Sequence, residues 1–269
     1  MSHEVNPFES PQVVSEPGEI HIETGGGARP VVPFASGHGR AMWTISLLAA
    51  GMVADLLGAG STLLEVNLLN RAKSGEIITP VQAENNDARQ ALVGLCQAAV
   101  YLGSAIAFLM WFHRTHRNLR ALGAKNLKYS PGWAVGAWFI PILNLFRPYQ
   151  IMAEVWRGSD PMPLTTQSSY AGRGAVSPLL GWWWALWIIM NVVNQIAFRL
   201  SMHAETLDLL LPGSWATVVG DLIGLPAALL AIMVVRAVDA NQQRRYRLLR
   251  RQGESSLEFP PGAEFFPTP

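Results

Sequence analysis

The chain has 269 residues, half of them apolar, with a mean hydropathy of +0.21 and only 14% charged side chains. Soluble domains carry about a quarter charged residues, so this composition excludes an ordinary water-soluble globule. The single cysteine, Cys96, excludes an internal disulfide framework and a Cys-built metal site, and the net charge of +1 says little because the charges are segregated into loops and tails.

In chain order, residues 1–40 hold Pro, Gly, Ser and Glu without a sustained apolar run, including Gly25-Gly26-Gly27, Pro30 and Pro33. They are predicted to form a disordered tail with no signal-peptide pattern, which makes the first apolar segment an uncleaved anchor. A membrane domain is predicted over 41–251, with spans at about 41–64, 91–112, 178–200 and 212–235, followed by a disordered tail over 252–269. Trp43, Trp111, Trp182-Trp183-Trp184 and Trp215 lie at or near span ends, where amphipathic rings favour the headgroup layer. The apolar runs are continuous rather than alternating, so they read as helices and not as barrel strands.

Orientation follows from the basic residues. The connection after the second span carries Arg114, Arg117, Arg120, Lys125 and Lys128 with no acid. The one after the fourth carries Arg236, Arg244, Arg245, Arg247, Arg250 and Arg251 against Asp239 and Glu254. The positive-inside rule puts both clusters, and hence both termini, in the cytoplasm of a cytoplasmic-membrane protein. The connections around Glu76 and Glu205 then lie outside.

Between these spans, Gly132 to Phe146 is apolar but short. As a helix it covers about 22 Å, against a hydrocarbon core of roughly 30 Å. A fifth crossing would also put the two basic clusters on opposite faces. Residues 132–157 therefore read as a re-entrant or interfacial element, with Pro141 and Pro148 breaking helical hydrogen bonds that protein neighbours must replace. Pro148 to Arg157 reads as an amphipathic helix, with Pro148 at its first position, Ile151, Met152, Val155 and Trp156 as apolar surface, and Glu154 able to reach Arg157. An interfacial helix and an ordinary helix capping the bundle both fit. The predicted fold class is thus an all-α integral membrane protein, a bundle of four transmembrane helices plus this short segment.

Polar groups inside spans are the candidate site. Asp55 lies midway in the first span, Asn191, Asn194 and Gln195 in the third, and Asp221 in the fourth. A carboxylate at bilayer depth is costly unless protonated, paired or hydrated, though Asn and Gln partners across helices would make it an ordinary packing device. Small residues at i+4 spacing support close helix packing: Ala50, Ala54 and Gly58; Ala99, Gly103 and Ala107; Gly220, Gly224 and Ala228. His113 and His116 sit among arginines, which oppose metal binding, so they read as a basic helix end at lipid headgroups, and no metal or other cofactor is expected.

The succession Trp111-Phe112-His113-Arg114, Arg117-Asn118, Leu122-Gly123, Pro131-Gly132-Trp133, Trp138-Phe139-Ile140-Pro141, Asn144-Leu145, Arg147-Pro148-Tyr149 and Glu154-Val155-Trp156-Arg157 resembles the DUF4328 family of bacterial multi-pass membrane proteins. The resemblance implies a fold and a location but carries no activity. No Walker sequence, dinucleotide fingerprint or nucleophile elbow is present, so the chain is expected not to be an enzyme. The expected partners are the bilayer, anionic headgroups at the basic clusters, and a second copy or another protein through the tails, but not nucleic acid. A membrane-anchored interaction or scaffold protein is the first functional expectation, and a small-solute or ion transporter using the intramembrane carboxylates is the alternative.

Overall fold

The computed structural model describes residues 33–161, 176–202 and 207–258, all helix, turn or loop with no strand among them. Six helices follow in order: α1 (His38–Lys73), α2 (Pro80–Ala121), α3 (Trp133–Gly136), α4 (Arg147–Ser159), α5 (Pro178–Met202) and α6 (Leu207–Glu258), with a single 3-10 turn at Leu143–Leu145 before α4. Helices α1, α2, α5 and α6 are each long and apolar enough to cross a membrane, and they contain the four predicted spans. Helices α1, α2 and α6 run well past those spans because polar residues can continue a helix beyond its apolar stretch, whereas α5 nearly coincides with its span. The remainder of both predicted tails lies outside the described residues. Inside the predicted N-terminal tail, however, Phe34 stacks on Tyr246 with ring centroids 4.2 Å apart, and α1 begins at His38. At the other end α6 continues to Glu258, past the predicted start of the tail at 252.

Local chemistry sets the helix ends. Thr79 caps α2 in a reciprocal box with Gln82: Thr79 N donates to Gln82 Oε1 at 2.9 Å and Gln82 N to Thr79 Oγ1 at 3.3 Å, with Pro80 filling the first turn. The α2 C-terminus closes with Ala124 N donating to Leu119 O (2.9 Å) and Gly123 N to Arg120 O (3.1 Å). That closure needs a left-handed residue, and Gly123 has φ +76°.

The four long helices pack in the order α2, α1, α6, α5, and α2 and α5 share no packed interface. Their apolar midsections face outward: Leu57 is 65% exposed, Leu95 69% and Leu102 64%. In water such surface would cost about 25 cal/mol per Å², so these helices are suited to a lipid surround. The protein-buried core sits instead at the end of the bundle that carries the arginine clusters, the basic end. Trp111, Phe112, Leu119, Ile151, Met152, Val155, Val234, Val235 and Val238 are all fully buried there.

Helix α4 is the centre of that core. It packs against α2, α5 and α6, and Ile151 to Val155 are buried without interruption. It therefore caps the basic end of the bundle. Glu154 points inward: its carboxylate lies 3.0 Å from His116 Nε2 and accepts the backbone N–H groups of Lys128 (2.5 Å) and Tyr129 (3.4 Å). His116 is thus a buried partner rather than part of a headgroup-facing helix end. Gln242 of α6 completes the lock, its Nε2 donating to Thr115 O (2.9 Å) and Ser159 Oγ (3.1 Å), while Asn118 Nδ2 donates to Ala35 O (2.9 Å) and to Gln242 Oε1 (3.3 Å). Arg114 also donates to Ala35 O, and Gly158 leaves room for Leu119, whose Cδ2 would lie 2.9 Å from any added Cβ.

The lock holds residues 130–146 against the bundle. This segment is a four-residue helix and hydrogen-bonded turns, and it does not run the length of its neighbours. Trp138 packs on Phe108 of α2 and on Trp184 and Trp187 of α5. Those tryptophans are about 9 and 14 Å along α5 from Pro178 at ~1.5 Å per residue, so the segment covers only the basic-end part of the bundle. Pro148 opens α4, Tyr149 lies beside Trp184, Asn144 Nδ2 donates to Trp138 O, and Trp133, Phe139 and Ile142 remain exposed.

Removing one side of a buried hydrogen-bonded contact, so that its partner is left unsatisfied, costs about 1–3 kcal/mol. Glu154→Ala is expected to fall in that range in thermal or denaturant unfolding of the detergent-solubilised protein, and Glu154→Gln, which can still accept the Lys128 amide, to lose less. An unchanged melting temperature in both would show that the lock does not hold the fold.

Candidate functional site

Helices α1 and α6 are antiparallel, fixed at the basic end by His38 Nδ1 against Asp239 Oδ2 at 2.8 Å. In that register Asp55 lies over Gly224, where an added Cβ would come 2.5 Å from Asp55 Oδ2. Asp221 lies reciprocally over Gly58, where an added Cβ would come 2.9 Å from Asp221 Oδ2. Both residues sit in the same local pattern, Asp55-Leu56-Leu57-Gly58 and Asp221-Leu222-Ile223-Gly224. Gly224 makes space for the Asp55 carboxylate, and Gly58 for the Gln97 amide of α2 together with the Asp221 carboxylate. The i+4 small-residue stripes of α1 and α6 thus serve to admit acid side chains, as well as to bring backbones together.

Helix α2 supplies the partners. Tyr101 Oη donates to Asp55 Oδ1, and Gln97 Nε2 donates to Asp221 Oδ1 at 3.2 Å. These two belong to a polar stripe on α2, Asn86, Gln90, Gln97, Tyr101 and Ser104, at the i+3 and i+4 spacings of one helix face. Its far end is bonded across to α1: Ser61 Oγ donates to Gln90 Oε1 (2.6 Å), Arg89 Nε to Ser61 Oγ (3.0 Å), and Gln90 Nε2 to Glu65. Polar groups therefore step from the end opposite the basic one down to mid-bundle. Sequence reasoning missed Gln97, Tyr101 and Ser104, although this spacing was the available signal.

At the foot of the stripe lies a cavity of about 430 Å³ between α1, α2, α5 and α6, roofed by Trp138. This is within the range of about 300–1,000 Å³ usual for small-molecule sites. Asp55, Tyr101, Ser104, Asn191 and Asn194 are its polar lining, and Phe108, Trp138, Trp183 and Trp187 its aromatic walls. It exists because α2 and α5 do not pack together: Phe108 and Trp183 meet at 6.0 Å near the basic end, and below them the helices stay apart. Ser104 Oγ and Trp138 Nε1 beside the cavity have no hydrogen-bond partner, and neither do Trp111 Nε1 and His116 Nδ1 in the core of the basic end. A more open hollow of about 610 Å³, shared with Trp138, Trp187 and Asn191, lies between the 138–145 segment and α5 and is also lined by Pro141, Asn144, Gln195 and Arg199.

The structure therefore divides the predicted polar residues. Asp55, Asn191 and Asn194 line one cavity, whereas Asp221 pairs with Gln97 one contact away from it. The asparagines are not the carboxylates' partners in this arrangement: Asn191 Nδ2 donates to Trp187 O on its own helix at 2.7 Å, and Asn194 Oδ1 lies against Gly220. Among the described residues no group of three His, Cys, Asp or Glu is placed to hold a metal ion.

A family model for DUF4328, a domain of unknown function, matches residues 75–240. The chain belongs to the DUF4328 family. No curated protein and no solved structure matches it. In this DUF4328 protein the match covers α2 to α5 and most of α6, so Gln97, Tyr101, Ser104, the tryptophan walls and Asp221 lie inside it, and Asp55 on α1 outside. The residues that carried the resemblance fall mainly at the basic end. Trp111, Asn118, Pro148 and Glu154 are buried there, Trp156 is half-buried, Arg117 is exposed, and Pro131 and Gly132 begin the turn into α3. The family pattern thus reports the lock, and the cavity is built beside it.

Gly224→Ala places a methyl group against the Asp55 carboxylate and is expected to cost about 1–3 kcal/mol in unfolding experiments, as overpacking does. Gly60→Ala, which meets nothing within 4 Å, is expected to stay within about 0.5 kcal/mol of the parent. Equal losses in the two variants would remove the special role of the Asp–Gly register.

Proposed function

We propose that this DUF4328 protein is a multi-pass protein of the cytoplasmic membrane that binds a small solute at mid-membrane depth and passes it across the bilayer. The cavity carries the reading. A bundle serving only as an anchor has no use for a void lined by a carboxylate, a phenol and a serine hydroxyl without a partner, and such polar groups at bilayer depth favour a hydrated or ligand-bearing site. The polar stripe of α2 supports access from one end and the gap between α2 and α5 access from the side. The alternative, an interaction scaffold, draws on the tails, most of which lie outside the described residues, and no observation on the bundle favours it.

Binding rather than catalysis is the role these residues fit. Ser104 Oγ has no hydrogen-bonded base to activate it. Both arginine clusters lie at the same end of the bundle, which supports the orientation with the basic end and both termini in the cytoplasm, where the clusters would meet anionic headgroups.

Two experiments test this reading. In a Cys96→Ser background, Ser104→Cys in lipid nanodiscs is expected to react with N-ethylmaleimide, because the cavity admits small polar molecules; an unreactive thiol there would mean a sealed, dry bundle and end the solute reading. For orientation, Ile142→Cys, on the exposed side of the short segment, is expected to react with an impermeant maleimide in inverted vesicles and not in intact cells. The reverse pattern would invert the topology.

A further inference from the structure

We infer that the solute of this cavity is a monovalent organic cation of the substituted-ammonium class, with Asp55 as its counter-charge and Trp138, Trp183 and Trp187 as its aromatic walls. The inference rests on the proposed solute-binding cavity and names what it takes. Among the described residues that line the cavity, Asp55 is the one charged group and no Lys, Arg or His joins it. An anion would therefore meet repulsion in a low-dielectric site, where charges act most strongly. A neutral apolar guest would leave the carboxylate and the Ser104 hydroxyl unsatisfied.

Metal cations fit no better. Calcium takes about 6–8 oxygen ligands and magnesium a near-octahedral set, whereas most of this lining is tryptophan, Phe108 and small aliphatic residues. Tryptophan faces are the best of the side-chain partners for an alkylated ammonium, which spreads its charge over a methyl surface and gives up its hydration cheaply. The rings are held in place: Trp184 and Trp187 stack at 4.7 Å, and Trp138 meets Trp187 edge to face at 5.3 Å. Tyr101, bonded to Asp55, keeps one carboxylate oxygen engaged and the aspartate oriented. The ligand so described is compact, cationic and partly apolar, able to reach the site through the gap between α2 and α5.

The test uses charge as its readout. In Cys96→Ser/Ser104→Cys protein in nanodiscs, mixed-disulfide formation with release of methanesulfinate is followed with trimethylammonium-ethyl methanethiosulfonate and with sulfonatoethyl methanethiosulfonate, each rate divided by that for free 2-mercaptoethanol. The cationic reagent is expected to be favoured at least ~10-fold, a preference that Asp55→Asn abolishes, since it removes the one charged side chain among the described residues of the lining. Benzyltrimethylammonium is expected to protect the cysteine, and neopentylbenzene, its uncharged carbon isostere, is not. Trp187→Leu keeps Asp55 and is expected to weaken that protection roughly 10-fold while the cysteine stays reactive, which guards against an Asp55→Asn protein that does not fold. Normalised rates independent of reagent charge, or equal protection by the neutral isostere, overturn the cation assignment and leave the cavity intact. Failure of every thiol reagent to react removes the cavity, and the cation with it.

Discussion

Asp55 over Gly224 and Asp221 over Gly58 tie α1 to α6 in one antiparallel register. Sliding either helix by a turn would drive two carboxylates into side chains instead of into glycine-sized gaps, and would part them from Tyr101 and Gln97. This one contact therefore orders the row of helices, because α2 is brought in by the same two acids and α5 rests on the other side of α6. The row leaves α2 and α5 unjoined, and the cavity follows from that arrangement.

What closes the open row is the basic end. There the burial pattern resembles a soluble protein: α4, the ends of α2 and α6, and the 130–146 segment enclose a dense apolar core, inside which Glu154 meets His116 Nε2 and Gln242 is hydrogen-bonded. Each of Ile151, Met152 and Val155 contributes about 1.5–3 kcal/mol by burial. The middle of the bundle contributes little of this kind, since its leucines face outward. The molecule is thus held by the cap at its basic end and by a few polar contacts in mid-bundle. That division leaves the middle free to keep a void.

Much of this was legible in the sequence. Long continuous apolar runs gave four helices, because only a lipid-facing or fully buried helix tolerates them, and the length of the Pro-broken run from Gly132 to Phe146 forbade a fifth. The family resemblance, carried by Trp111 to Pro161, is borne out over 75–240. Asp55 and Asp221 stood out as carboxylates among apolar residues. Tyr101, Gln97 and Ser104 did not, because tyrosine, glutamine and serine are ordinary helix residues and only their shared face makes them a site. His116 departs from its sequence reading for a related reason: a charge-capable residue among arginines looks solvated until the helix that covers it is in place.

Composition and periodicity determine what each segment can be, since the cost of exposing or burying a side chain acts residue by residue along the chain. They determined the four apolar helices, the short segment and the presence of acids at depth. Which faces meet is decided by contacts between residues far apart in sequence, such as Asp55 with Tyr101 and Gly224. Only the tertiary structure could therefore set the carboxylate of α1 before the tryptophans of α5, and bring Tyr101 and Ser104, unremarked in their own helix, to the same cavity.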